Sequence, residues 1–184
     1  MIIVIPFYAM IIAITVMWIT IRLIAALKNQ SVDFKREALL FAAAVWLTII
    51  LRFTFFPIYP INGATGVLVV NTDKLYPFQT NLIPFVNLFG KYDGWPLNLI
   101  GNILLFIPVG LICPLCFKKL DTIPKATLAG MGLSLMIELL QLLCLDRTTD
   151  VDDLMLNTLG TLIGAILLFL LNKSIRHNRK KGHR

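Results

Sequence analysis

Between residues 138 and 164 the chain reads ELLQLLCLDRTTDVDDLMLNTLGTLIG, and most side chains capable of chemistry stand there. Glu138 and Gln141 sit in an apolar helical run. Arg147, Asp150, Asp152 and Asp153 occupy a charged hairpin, and Asn157 opens the next apolar run. Carboxylates and amides are costly in hydrocarbon and easily replaced by Leu, so an intramembrane ionisable residue is by default a functional-site hypothesis. Three chemistries suit the set. Glu138 could exchange a proton as general acid or base. Asp150 and Asp153 are hard oxygen donors of the kind that can hold a divalent cation. Arginine and amide groups can clasp anionic or sugar-like groups through bidentate hydrogen bonds. No nucleophile motif, phosphate loop or zinc spacing accompanies them, and His177 and His183 lie in the C-terminal tail. No metal site and no cofactor is expected outside the enzyme reading.

These groups must be positioned by membrane helices. The 184-residue chain is 58% hydrophobic and only 15% charged, against roughly 25% charged in a soluble domain, and its mean hydropathy is +0.81. Several apolar runs reach the ~20 residues that cross a bilayer as helix. The expectation is an all-α, polytopic bundle with five spans, at about 1–27, 37–56, 98–117, 126–145 and 154–171. Residues 1–172 then form a single transmembrane domain and 173–184 a basic cytoplasmic tail. The first run has no basic n-region and no small-residue cleavage motif, so it reads as a retained helix. Residues 57–97 form a long extracytoplasmic loop, rich in Pro, Gly and Asn, of a length often tied to function. Part of it is expected at the interface or folded back on the bundle.

The net charge of +7 comes from basic residues in short loops and the tail. That is the positive-inside signature and not a nucleic-acid footprint. Thirteen Lys and Arg flank the odd-numbered boundaries, whereas only Arg52, Lys74, Lys91 and Arg147 flank the even ones. The N-terminus is therefore expected outside and the C-terminus inside. Cys113, Cys116 and Cys144 read as small buried hydrophobes. Trp18, Trp46 and Trp95 read as packing or interfacial anchors.

With that orientation the polar residues fall into one layer. At 1.5 Å per residue, Glu138 lies ~10 Å below the outer end of its span, and Gln141, Asn102, Arg52 and Asn157 each ~5–6 Å below theirs. Asn98 stands one turn above Asn102, and Arg147, Asp150 and Asp153 cap the layer. Residues three and four apart share a helix face. Thr127, Gly130, Ser134, Glu138 and Gln141 form one stripe; Asn98, Gly101, Asn102 and Leu105 form a second. Asp150, Asp153, Asn157, Gly160 and Gly164 form a third if the last helix begins early. The expected object is an outward-facing polar pocket, roofed by the hairpin and the NLIPF stretch at 81–85, with Arg52 or Arg147 pairing Glu138. Asp152 points off the third stripe and reads as solvated. Gly160-x-x-x-Gly164 reads as helix packing. The alternative is that the amides are interhelical glue.

From residue 46 to 171 the chain resembles the VanZ-like family of small membrane proteins. The resemblance rests on separated motifs in order: R-x-T-x-F-P at 52–57, N-L-I-P-F at 81–85, N-L-x-G-N-I-L-L-F-I-P-x-G at 98–110, I-E-L-L-Q at 137–141 and R-T-x-D-V-D-D-x-x-x-N-T-x-G at 147–160. It implies a bacterial cell-membrane protein associated with teicoplanin-type glycopeptide resistance. The positions carried over are Arg52, Asn98, Asn102, Glu138, Gln141, Arg147, Asp150, Asp153 and Asn157, which the residues had already singled out.

Three functions compete. In the first, the pocket binds an amphipathic partner, such as a lipoglycopeptide, a membrane lipid headgroup or a cell-envelope precursor. In the second, a membrane-embedded enzyme acts on a lipid-linked substrate with Glu138 as acid or base. A transporter would want an inverted repeat and polar groups crossing the midplane, and the sequence has neither.

Overall fold

The protein is described by a computed structural model in which residues 2–28, 33–56, 66–71, 79–86, 94–144 and 147–181 are placed. Five helices are long and apolar enough to cross a membrane: α1 Phe7–Lys28, α2 Phe34–Phe55, α3 Trp95–Cys116, α4 Ile123–Gln141 and α5 Val151–Lys181. The expected five-span helical class holds. Four short strands accompany them, β1 Ile2–Pro6, β2 Val67–Asn71, β3 Thr80–Asn81 and β4 Thr149–Asp150, paired β1 with β2 and β3 with β4. The chain divides into two units, Met1–Thr80 with Leu139–Thr149, and Asn81–Glu138 with Asp150–Arg184.

In the first unit, the expectation that the opening span is helical from residue 1 is corrected. Residues Ile2–Pro6 form a strand that pairs antiparallel with β2, Ile2 opposite Asn71 and Pro6 opposite Val67. The run Ile2-Ile3-Val4-Ile5 is β-branched, a composition that favours a strand, and Pro6 disfavours helical geometry at the residue before it. The corner is closed by the Phe7 N–H donating to the Gly66 carbonyl at 2.9 Å. Gly66 has φ +68, where a residue without Cβ fits best. α1 has no buried residue, as expected of a span that is apolar all round and faces lipid. α2 starts at Phe34 and not at 37, because the Asp33 carboxylate accepts the N–H groups of Lys35 (3.0 Å) and Arg36 (3.4 Å), an N-cap. Arg22 of α1 pairs with Glu37 of α2. Trp18 meets Phe41 edge-on at 5.6 Å, the packing role expected of it.

The second unit is built on α3, α5 and most of α4. α3 starts three residues earlier than expected, with Pro96 in its first turn, where the missing N–H costs nothing. α3 and α5 approach through glycine. A Cβ on Gly160 would overlap the Ile103 carbonyl, one on Gly164 the Ile107 carbonyl, and one on Gly110 the Thr161 carbonyl. Gly130 of α4 is pressed against the Thr161 side chain in the same way. Small residues at such crossings let membrane helices pack backbone to backbone, and the packing reading of Gly160 and Gly164 fits this contact. Gly101, which shares a stripe with Asn98 and Asn102, meets nothing within 4 Å.

Other boundaries differ from expectation as well, and α4 begins at Ile123, three residues before the expected 126. α4 ends at Gln141, not at 145, in a turn closed by Cys144 N–H on the Gln141 carbonyl. α5 begins at Val151 and runs to Lys181, so residues 173–181, most of the expected tail, are helix. Its start is set by Asp150, whose carboxylate accepts the Asp152 N–H at 2.9 Å. At the opposite end of α4, Lys125 pairs with Asp121 at 2.6 Å. That hydrogen bond holds the Asp121 carboxyl below its ordinary value, though both partners are exposed and such pairs add little stability.

Candidate functional site

The polar side chains of the second unit gather where α3 and α5 begin and the body of α4 ends. Asp153, in the first turn of α5, accepts from Asn102 Nδ2 at 2.6 Å and from Asn98 Nδ2 at 3.1 Å. Asn102 also donates to Asn98 Oδ1 at 3.2 Å, so the two amides form one clasp around the carboxylate. One turn further, buried Asn157 donates through Nδ2 to Ser134 Oγ of α4 at 2.9 Å, and its carbonyl accepts the Thr161 hydroxyl at 3.0 Å. One turn along α4 from Ser134, Glu138 is buried and its Oε2 accepts the Asp150 N–H at 2.9 Å. Three helices are thus tied by five of the residues expected at the site together with Ser134. The sixth, Asp150, holds the loop that follows β3.

That loop is the NLIPF stretch. Asn81 Nδ2 donates to both oxygens of Asp150, at 3.0 and 3.1 Å. The Phe85 N–H donates to Asp152 Oδ1 at 2.8 Å. The expectation that Asp152 is solvated is therefore wrong: it is 3% exposed. Its direction depends on where α5 starts, and a helix begun at Val151 turns the second residue toward the loop. Asn81 and Asp152 are the members that sequence reasoning left out. The nearest signal was Asp150 as an N-cap residue type ahead of an apolar run, which bears on where α5 starts and only through that on Asp152. Asn81 carried no chemical signal beyond its place in the motif.

Arg52, Gln141 and Arg147 belong to the first unit. Arg52 Nη1 donates to the Phe56 carbonyl at 2.9 Å and its guanidinium lies 5.3 Å from the Phe7 ring centre, a cation–π distance. Gln141 is buried and donates to the Thr54 carbonyl at 2.8 Å. The carbonyls of Thr54 and Phe56 stand in the last turn and cap of α2, where intrahelical donors run out. Arg147 is half-buried. Lys74, Lys91 and Asp146 lie outside the described residues.

Five helices long and apolar enough to cross a membrane define a multi-pass membrane protein, and in the second unit α3, α4 and α5 carry buried polar side chains toward one end. Comparison with known proteins narrows that class. The family model described as VanZ/LLP1 matches residues 38–172, and the chain belongs to that family. Protein VanZ of Enterococcus faecium is 36% identical over 101 residues, which cover 55% of this chain and 58% of that protein. The match thus spans under two thirds of the relative's length. No solved structure matches the chain.

Proposed function

We propose that the chain is a plasma-membrane protein of bacteria, with its N-terminus outside and its C-terminus inside. Its outward-facing polar layer binds an amphipathic ligand or an envelope headgroup and so modulates resistance to teicoplanin-type glycopeptides. One observation carries the reading. Asn98, Asn102, Glu138, Asp153 and Asn157 stand within or beside apolar spans and are knit together at one end of them. Packing alone would be met more cheaply by Leu and Ala, since hydrogen bonds between membrane helices average only about 0.6 kcal/mol. The family membership and the likeness to Protein VanZ support the link to glycopeptides.

The test compares wild type with Glu138→Gln and Glu138→Ala in a host sensitised to teicoplanin, at matched membrane expression. Growth inhibition and labelled drug at the cell surface are both read. The binding reading expects Glu138→Gln to keep most protection, because its amide oxygen can still accept the Asp150 N–H, and Glu138→Ala to lose it. If Glu138→Gln is as inactive as Glu138→Ala, a proton or charge is needed, and the reading of a membrane-embedded enzyme with Glu138 as acid or base is favoured over simple binding. If neither variant differs from wild type, the layer is scaffold.

A further inference from the structure

Two buried side-chain atoms of the second unit have no hydrogen-bond partner among the described residues, Asp152 Oδ2 and Asn157 Oδ1. Both are acceptors. A buried acceptor without a donor is costly, more so when it belongs to a carboxylate. The other Asp152 oxygen is fixed on the Phe85 N–H, so the carboxylate faces the underside of the loop. Asp150 accepts from Asn81 through both oxygens, and Asp153 accepts from Asn98 and Asn102 through Oδ1. Above the carboxylate, the loop presents Leu82, Ile83 and Phe85, which are 69%, 67% and 59% exposed. Acceptors lie beneath and an apolar surface lies on top.

We propose that Asp152 and the loop at 82–85 recognise the primary-ammonium headgroup of a membrane lipid, an aminophospholipid of the surrounding bilayer. The inference rests on the reading above that this layer binds an amphiphile, and it names the headgroup class. An ammonium supplies both the donor that Asp152 Oδ2 lacks and a charge opposite to that of Asp150, Asp152 and Asp153. A phosphate or carboxylate would add acceptors to acceptors. The source follows from position: α3 begins at Trp95 and α5 at Val151, so the loop lies beside span ends, where headgroups reside. The acyl part of the lipid lies against Leu82, Ile83 and Phe85. Entry requires the Phe85 N–H to leave Asp152 while Asn81 stays on Asp150 as the hinge. Phe85 is held at φ +66, a conformation unfavourable for a residue with a Cβ, so its release recovers backbone strain.

The experiment places the full chain in nanodiscs containing equal phosphatidylethanolamine and phosphatidylcholine, and native mass spectrometry counts the lipid retained. Both lipids carry a phosphate and a cation, but only the first has N–H donors. Wild type is expected to retain phosphatidylethanolamine in preference by about tenfold, the scale of one charge-assisted hydrogen bond. Asp152→Asn is expected to abolish the preference. Ile83→Ser, which changes only an exposed side chain, should lower retention of both lipids alike. Equal retention by wild type, or an unchanged preference in Asp152→Asn, overturns the proposal. Running the Glu138→Ala resistance assay in parallel separates the two claims. If the preference is absent while Glu138→Ala still loses protection, the headgroup assignment alone falls.

Discussion

Asn157 shows how a single polar side chain is accommodated in an apolar span. Its amide nitrogen is satisfied by Ser134 across the α4–α5 contact, and its backbone carbonyl takes the Thr161 hydroxyl. Ser134→Ala should leave that amide N–H without its acceptor and cost about 1 kcal/mol, read as a fall in thermal midpoint in detergent with little change in helix content. Around Asp153 the two asparagines are unequal. Asn102 is 9% exposed and makes the shorter bond, whereas Asn98 lies in the exposed first turn. Asn102→Ala should therefore destabilise the protein more than Asn98→Ala, by roughly 1 kcal/mol. Equal losses in the two variants would mean that the burial and shorter bond of Asn102 add nothing to the clasp around Asp153.

Among elements, the α3–α5 pair carries the layer, because the two helices run in step with glycine at the points of contact. Gly164→Leu would drive a side chain into the Ile107 carbonyl, and backbone cannot yield as a flexible side chain can. Overpacking of this kind costs about 1–3 kcal/mol or more, and the Asn102–Asp153 bond should be lost with the register. Gly132→Leu on α4 is the matched control, since a Cβ there meets nothing within 4 Å. The expected outcome is a sharply reduced folded yield and lost protection for the first variant, with both retained for the second. The two prolines inside α3, Pro108 and Pro114, each remove one intrahelical donor. They stand past the polar turns, so the clasp residues remain on regular helix.

For the whole molecule, the distribution of Lys and Arg predicts which side of the membrane each boundary faces. On that count Lys118 and Lys119, between α3 and α4, and Lys173, near the end of the apolar part of α5, are expected on one side and the loop at 82–85 on the other. In a variant lacking the native cysteines, a cysteine at position 119 should resist an impermeant thiol reagent in intact cells, and one at position 83 should react. The reverse pattern would put the polar layer on the cytoplasmic side and remove the basis for an encounter with an external glycopeptide.

Five spans were legible in the sequence because crossing a bilayer demands about 20 apolar residues in a row, a constraint local to the chain. The gathering of these polar groups was legible for the related reason that they stand out against such runs, and helical spacing put Asn102, Ser134, Glu138, Asp153 and Asn157 on three helix stripes. The strand β1 was not legible, since an apolar β-branched run meets the hydropathy requirement of a span equally well and only its pairing with β2 distinguishes it. The position of Asp152 was hidden too, because a side chain's direction depends on the first residue of its helix, which the Asp150 cap sets. Periodicity likewise placed Gln141 on the Glu138 stripe, yet its amide donates to a carbonyl at the end of α2. Spacing along a chain determines which residues share a face. Which donor meets which acceptor depends on groups far apart in sequence, and only the tertiary structure decides it.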